Sequence, residues 1–482
     1  MARSGHPKEG GLRRELGFFE TIALSIGISA PTAVLALNGV LPASEVGRAV
    51  PLAFLFAGIA VLLVSYCFIR LTKLFSSAGS TYTFTGRTIG PRGGFFAGWA
   101  LLGTYVAFTI ASTAEIGLFA GSFFSGVGFL SSLDWLVIAL VGGAIMWLVA
   151  YGDVRVATRS LLTLEGISVA FIVVLFVVIY VKLFAGTAPR GQHFTLSPFT
   201  VPSSVSASTV GLAAVAGFLS FGGFEGAAAL GEESHNPRRT IPRAILTAVI
   251  GLSVLYVFGM FTQTLGFGTD AKGVAAFAGS SSPLDDLSHA YVGPWLGYLI
   301  SFGAALSAFG SALGTLSAGA RILLSLGRDG FIHRRLGHVS PRTGSPSYAV
   351  AAIMGLTFVC LTVLRIGGET AVNVFFYLGT IGVLCILVAY ITTTIGGIRY
   401  LFVGRRVATY QVVVPVLAIL ALGYTLFKNL VPVPAAPYNL FPYIAGAWLL
   451  VGVGFVTLRP ELAHRLGARL AHEDAEPAEA AA

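Results

Sequence analysis

Twelve apolar runs of about 20 residues, each bounded by charge or by Pro and Gly clusters, decide what this chain can fold into. They lie near 18–41, 49–69, 94–123, 133–151, 160–184, 207–230, 241–267, 290–324, 347–364, 370–398, 409–430 and 440–458. An α-helix needs a run of that length to cross the hydrocarbon core of a bilayer. The apolar residues are continuous rather than alternating, so the spans are helices and not barrel strands, the two structures that satisfy every backbone group in lipid. Charged residues make up 11% of the chain, against about 25% in a soluble domain. The expected fold is an all-α polytopic membrane protein with 12 transmembrane helices and the bilayer as its solvent. The long first span leads directly into eleven more, so a cleaved signal peptide is not expected.

The net charge of +9 would suggest nucleic acid in a soluble protein, but its distribution follows the spans. Of the 30 Lys and Arg residues, 24 fall in the termini and the connections on one side and 6 on the other: Arg48, Lys182, Arg190, Lys272, Arg365 and Lys428. The positive-inside rule then puts both termini in the cytoplasm and the protein in the cytoplasmic membrane. A nucleic-acid site needs charge clustered on one accessible face, so no nucleic-acid partner is expected. Cys67, Cys360 and Cys385 sit within apolar runs as small hydrophobes. No histidine pair has metal-ligand spacing, and there is no phosphate loop or nucleophile elbow, so neither metal, cofactor nor enzymatic activity is expected.

Two spans carry breakers. In "SIGISAPTAVL", Pro31 disfavours helical geometry at Ala30, Gly27 tolerates unusual dihedrals, and Ser29 can cap a second helix whose first turn accepts the proline. The sixth span, "GFLSFGGFEGAAALGEE", has Gly222 and Gly223 adjacent in mid-span beside the intramembrane acid Glu225. Two glycines weaken a helix by about 1 kcal/mol each relative to alanine. A charged carboxylate costs roughly 2.5–3.5 kcal/mol or more at that depth. Spans 1 and 6 run in opposite directions five spans apart, so the halves can form an inverted pair. Interrupted helices at matching positions of such halves point to a midplane substrate site in a secondary transporter. Amides at the start of the second half-helix, near Ser29, Ala30 and Thr32, attract an anion, and carbonyls ending the first half-helices take a cation. An α-amino acid carries both charges.

The stretch Phe218 to Ile245, "FLSFGGFEGAAALGEESHNPRRTIPRAI", resembles the sixth-span signature of the amino acid–polyamine–organocation permeases. "SSAGSTYTFTGRTIGPRGGFFAGW" is similar to the family's loop into span 3, and "SAGARILLSLGRDG" to its eighth-span exit. The resemblance implies a LeuT-like fold, a 5+5 inverted repeat with helices 1 and 6 broken, that imports or exchanges amino acids by alternating access. It implies domains at 1–17 (cytoplasmic segment), 18–398 (ten-helix core), 399–458 (accessory spans) and 459–482 (cytoplasmic, disordered tail). It places substrate between the two breaks: Ser29, Ala30 and Thr32 on the carboxylate, Phe218, Leu219 and Gly222 shaping the side-chain pocket, with Gly27, Ile28, Phe221 and Gly223 completing the broken segments. The sequence departs from the family in reading Gly-Ile-Ser-Ala-Pro-Thr at the first break. It also lacks the fifth-span lysine of some proton-driven relatives, with Ser168 near that place.

Candidate coupling and gating residues remain open to more than one role. Glu225 reads as proton carrier, gate or strut; Glu165 as coupling residue or partner of an inner-face arginine; Glu115 as coupling residue or interhelical hydrogen-bond former. Tyr105 and Tyr377 read as gates or as packing aromatics. Ser307 and Ser311, with Ser168 and Ser317, read as a sodium site or as small residues for helix packing. Glu232 and Glu233 with Arg238, Arg239 and Arg243 read as an inner gate network or as orientation charges. Small apolar lining with no acidic cluster beyond Glu225 leads to the expectation of a neutral amino acid as substrate and a proton as coupling ion. An amine or polyamine carrier, or an exchanger, is the alternative.

Overall fold

The computed structural model describes residues 17–75, 81–151, 154–203, 205–230, 234–340, 344–458 and 461. The expected terminal segments, apart from Gly17 and Glu461, and the acids Glu232 and Glu233 lie outside the described residues. In chain order the helices are α1 (Phe18–Ser29), α2 (Pro31–Leu37), α3 (Val40–Val46), α4 (Val50–Leu74), α5 (Thr81–Thr88), α6 (Pro91–Gly126), α7 (Trp135–Tyr151) and α8 (Val154–Phe184). Then follow α9 (Ala207–Phe221), a 3-10 segment (Phe224–Leu230), α10 (Pro237–Phe267), α11 (Ala271–Ala278), α12 (Pro283–Tyr291), α13 (Pro294–Arg328), α14 (Ser347–Ile366), α15 (Ala371–Ile398), α16 (Val413–Lys428) and α17 (Phe441–Leu458). Among the described residues no strand forms. Among the described residues ten helices are long and apolar enough to cross a membrane, and Thr21–Leu37 and Trp135–Tyr151 are shorter apolar segments.

Local chemistry sets these boundaries. Prolines 31, 91, 237, 283 and 294 each open their helix, where a missing N–H costs nothing and the fixed φ is already helical. Ser206, Asp270 and Thr370 cap α9, α11 and α15 by accepting from the backbone N–H three residues on. The run expected at 290–324 divides: α12 ends at Tyr291, and Gly293 at φ 145 reorients the chain before Pro294 starts α13.

The centre is α6, packed along α13 and α15, while α4 packs against α9 and α10. Glycine enables the closest approaches: a Cβ on Gly94 would meet the Gly86 backbone at 2.6 Å, so α5 and α6 touch main chain to main chain. The α1–α2 segment sits among α8, α10 and α13. On the rim, α16 and α17 expose most of their surface, including Leu420 and Leu450, as lipid-facing helices must. Trp99 and Trp448 pin α17 to α6, their rings stacked 4.5 Å apart and each indole N–H donating to the other's carbonyl.

Candidate functional site

The first span stops being one helix at Ala30. Its φ of 41° and ψ of 63° are left-handed, a conformation alanine adopts only under constraint, and it separates α1 from α2. The backbone groups released there are bound by side chains from three other helices. The Ser311 hydroxyl of α13 donates to the Ile28 carbonyl (2.7 Å), and the Tyr256 hydroxyl of α10 donates to the Ser29 carbonyl (2.9 Å). On the other side of the break, the Thr32 N–H donates to Glu165 Oε1 of α8 (2.8 Å) and the Ala33 N–H to Ser307 Oγ (3.3 Å). A buried backbone group left unpaired costs about as much as a lost hydrogen bond, so these four contacts explain how the break is tolerated.

The sixth-span region changes direction at the paired glycines. Gly223 has φ 115°, and a Cβ there would stand inside the Ile28 side chain. Gly314 of α13 receives Ile28 from the other side, with Ile28 Cγ1 2.5 Å from the position a Cβ would take. Ile28 is thus gripped between two glycines. Ser25 of α1 ties the following 3-10 segment to the first span, donating to the Phe224 carbonyl (3.0 Å) and accepting from the Ala227 N–H (3.2 Å). Glu225 is fully buried and satisfied: Oε1 accepts from the Tyr105 hydroxyl (2.9 Å), and Oε2 from the Tyr390 hydroxyl (2.6 Å) and the Gly223 N–H (3.1 Å).

A cavity lies beside the break. Its walls are Ile28, Ser29, Ala30, Ala33, Val34 and Asn38 of the first span, Phe108, Ala111, Ser112 and Glu115 of α6, Leu219 and Gly222 at the end of α9, Ser311 and Phe375. The α6 residues recur at i, i+3, i+4 and i+7, one continuous helix face.

The structure therefore brings together Ile28, Ser29, Ala30, Leu219, Gly222, Ser311 and Glu115 among the residues expected from sequence. Others lie elsewhere. Phe218 and Phe221 are in the core, Phe221 against Tyr256, because consecutive α9 positions face different neighbours. Gly27, Thr32 and Gly223 do not line the cavity, and the Thr32 amide is already bound to Glu165. Among the described residues Glu165 has that amide and the Ser307 hydroxyl as its partners; the side chains of Arg155 and Arg159 lie outside what is described. Glu115 makes none of the interhelical hydrogen bonds considered for it among the described residues. Tyr377 sits at the far end of α15 against Tyr438 and Phe441, and the tyrosine that reaches Glu225 is Tyr390. Ser168 donates to the Leu164 carbonyl and packs at Gly303, apart from the break that Ser307 and Ser311 hold.

Sequence reasoning missed Ser25, Asn38, Tyr256 and Tyr390. Each is a polar side chain inside an apolar run, a signal of modest strength because such residues also serve ordinary packing. Asn38 was the most visible, an amide at the end of the first span whose Nδ2 donates to Ser220 Oγ (2.7 Å).

Residues 16–453 match the model of the family described as Amino acid permease. The branched-chain amino acid permease BcaP of Bacillus subtilis is 28% identical over 362 residues, covering 71% of this chain and 73% of the relative. BcaP of Lactococcus lactis is 27% identical over 359 residues, covering 69% and 73%. Cationic amino acid transporter 3, mitochondrial, of Arabidopsis thaliana is 26% identical over 346 residues, covering 70% of this chain and 55% of the relative, so the chain spans about half the length of that protein. With a family match over most of its length and apolar helices throughout, this multi-pass membrane protein belongs to the amino acid permease family of the amino acid–polyamine–organocation superfamily, transporters and not enzymes.

Proposed function

We propose that this permease is a secondary transporter that carries amino acids across the cytoplasmic membrane by alternating access. The observation that carries the reading is the interruption at Ala30, side-chain-bound on both flanks and facing a cavity that also borders the glycine turn after α9. Irregular backbone at membrane depth is tolerated where it lines a cavity, and paired interruptions in inverted halves mark a transport site. On this reading Thr21–Leu37 and Trp135–Tyr151 are the first and fourth of twelve spans. Residues 18–398 form the LeuT-like inverted repeats with spans 1 and 6 broken, 399–458 are accessory spans, and both termini, 1–17 and 459–482, are cytoplasmic.

The Ser29 hydroxyl, buried and without a hydrogen-bond partner among the described residues, is available to a substrate carboxylate. Among the described residues no backbone amide bonds to the carbonyl of Gly222, which lines the cavity, and this supports its receiving the α-ammonium. Small walls at Ala30, Ala33 and Ala111 support neutral amino acids within a broad specificity. Glu165 is the better coupling candidate than Glu225. Glu225 is held at both oxygens as a strut, whereas Glu165 joins α8 to the Thr32 amide of α2, with the Ser307 hydroxyl beside it, and a proton on the carboxylate would weaken that hold.

The test is uptake of labelled alanine into proteoliposomes with and without an inward proton gradient. Accumulation that follows the gradient and is lost in Glu165→Gln, with counterflow retained, is the expected result; uptake by counter-exchange alone makes the protein an exchanger. An amine carrier is the second reading, favoured by the engagement of the Thr32 and Ala33 amides, which leaves them unavailable to a carboxylate in this conformation. Competition by simple amines but not by zwitterions would establish it.

A further inference from the structure

We propose that the corner where the end of α4 meets the α15–α16 connection binds the headgroup of an anionic phospholipid, whose acyl chains lie along α4 and α16. Tyr66 and Arg70 of α4 both donate to Gln411 Oε1, at 2.6 Å and 3.0 Å, and the Arg70 guanidinium lies 5.3 Å from the Tyr66 ring centroid. In the connection, Arg405 takes a left-handed φ of 51°, and the Arg406 guanidinium beside it lies 3.8 Å over the Tyr400 ring. Tyr400 packs on Phe75, the residue that caps α4, with ring centroids 5.3 Å apart. The two sets of contacts fix Arg70 and Arg406 at one corner, with Lys73 and Arg405 exposed. Residues 66–75 and 399–412 together hold five Lys or Arg and no Asp or Glu. Among the described residues none of the five pairs with a carboxylate. Membrane orientation requires only that cations lie on this side; it does not require them to converge without counter-charge.

The surroundings select a lipid over a soluble anion. Arg70, Tyr66, Leu62, Ile59 and Leu55 recur at steps of four, four, three and four residues, so a single stripe of α4 runs from the charged corner to three exposed aliphatic side chains. Alongside it α16 exposes Val413, Leu417 and Leu420, and Phe56 meets Tyr424 where the two helices pack. Val403 and Tyr410, each 77% exposed, flank the cations and suit the membrane interface better than water. A free phosphate would use the guanidinium groups, whose planar forks match its oxygens, and leave the apolar stripe unused. Basic pockets between membrane helices on this side bind anionic headgroups. A headgroup bridging Arg70 and Arg406 would tie α4 to the accessory spans. The same α4 carries Phe68, whose ring lies 5.6 Å from those of both Phe224 and Tyr390, the latter a donor to Glu225. Bound lipid therefore acts on the helix that supports the sixth-span segment, and transport should depend on it.

The experiment has two readouts on the full chain: lipid retained by the purified protein in native mass spectrometry, and alanine uptake in vesicles of phosphatidylcholine with and without phosphatidylglycerol. Wild type is expected to retain phosphatidylglycerol in preference to phosphatidylcholine and to transport faster when it is present. Arg405→Gln with Arg406→Gln should weaken that retention by roughly fivefold for each cation removed and abolish most of the gain in uptake. Arg334→Gln with Arg335→Gln, which removes two exposed arginines from the turn after α13, should change neither. Equal losses in the two double variants would reduce the effect to general charge attraction and overturn the site, as would unchanged retention in the first. Thermal stabilisation of the detergent-solubilised protein by glycerol phosphate as strong as that by phosphatidylglycerol would overturn the lipid as occupant. Retention that falls while uptake is unchanged would overturn the effect on transport. Retention does not depend on what the protein carries, so that readout stands if the amino acid reading fails.

Discussion

At the scale of single residues, the glycines around Ile28 separate two physical causes that a substitution scan would merge. Gly314 is helical, and the obstacle to a Cβ there is Ile28 Cγ1, whereas Gly223 is obstructed by Ile28 and also sits at φ 115°. Gly314→Ala should therefore reduce transport, and adding Ile28→Ala should recover much of it. Gly223→Ala should lose more, with roughly 1–3 kcal/mol of backbone strain that Ile28→Ala cannot relieve, and alanine uptake with thermal unfolding of the four variants checks this. Glu225 gives a second residue-scale prediction. Tyr390→Phe removes a donor to a fully buried carboxylate and should cost about 1–3 kcal/mol of stability, more than Tyr377→Phe, whose ring lies among Tyr438 and Phe441. The sequence made Glu225 conspicuous because an acid in an apolar run has few explanations. It did not distinguish Tyr390 from Tyr377, because both lie in one long apolar helix and only tertiary packing decides which of them meets the 3-10 segment that carries Glu225.

At the scale of elements, breakers were the legible feature and their partners were not. Pro31 and the pair Gly222–Gly223 announce interruptions by local dihedral chemistry, and the structure ends α1 at Ser29 and α9 at Phe221. What holds the ends, Tyr256, Ser307, Ser311 and Glu165, comes from helices more than a hundred residues away in the chain, where no local rule reaches. The α6–α7 connection shows the same dependence in a more exposed setting. Asp134 pairs with Arg365 at the end of α14, Arg365 Nε donating at 2.9 Å and 3.1 Å to the two carboxylate oxygens, and the guanidinium holds the carboxyl below its usual range. A depressed carboxyl pKa contributes stability that is present above the unfolded-state value and is lost as pH falls through the folded-state value. Arg365→Ala should therefore lower the unfolding temperature slightly at neutral pH, as a half-exposed pair allows, and the difference from wild type should shrink as the medium is acidified below the ordinary aspartate range. A difference that persists or grows in acid would assign the effect of Arg365 to packing.

At the scale of the whole molecule, orientation and cavity access can be tested together. The 24-to-6 asymmetry of Lys and Arg is the basis of the proposed orientation, and the cavity extends from the break along α2 towards Asn38, which that orientation would put away from the inner connections. Phe375 of α15 borders the cavity close to the outer start of its helix. Phe375 is buried, but it faces the cavity, so a smaller cysteine at this place should react with a membrane-impermeant thiol reagent added outside intact cells, and a bound amino acid should slow the reaction. The background is favourable, since Cys67 and Cys385 are buried and only Cys360 is partly exposed, so Cys360→Ser supplies a quiet parent. Reaction from outside with protection by substrate supports both the orientation and the cavity as the binding place. Reaction only in inverted vesicles would reverse the topology, and rapid reaction from outside without protection would put the substrate elsewhere. The result also bears on mechanism, because in alternating access the same cysteine must become unreactive from outside when the protein is trapped facing inwards. A channel lined by Phe375 would keep it reactive in every condition.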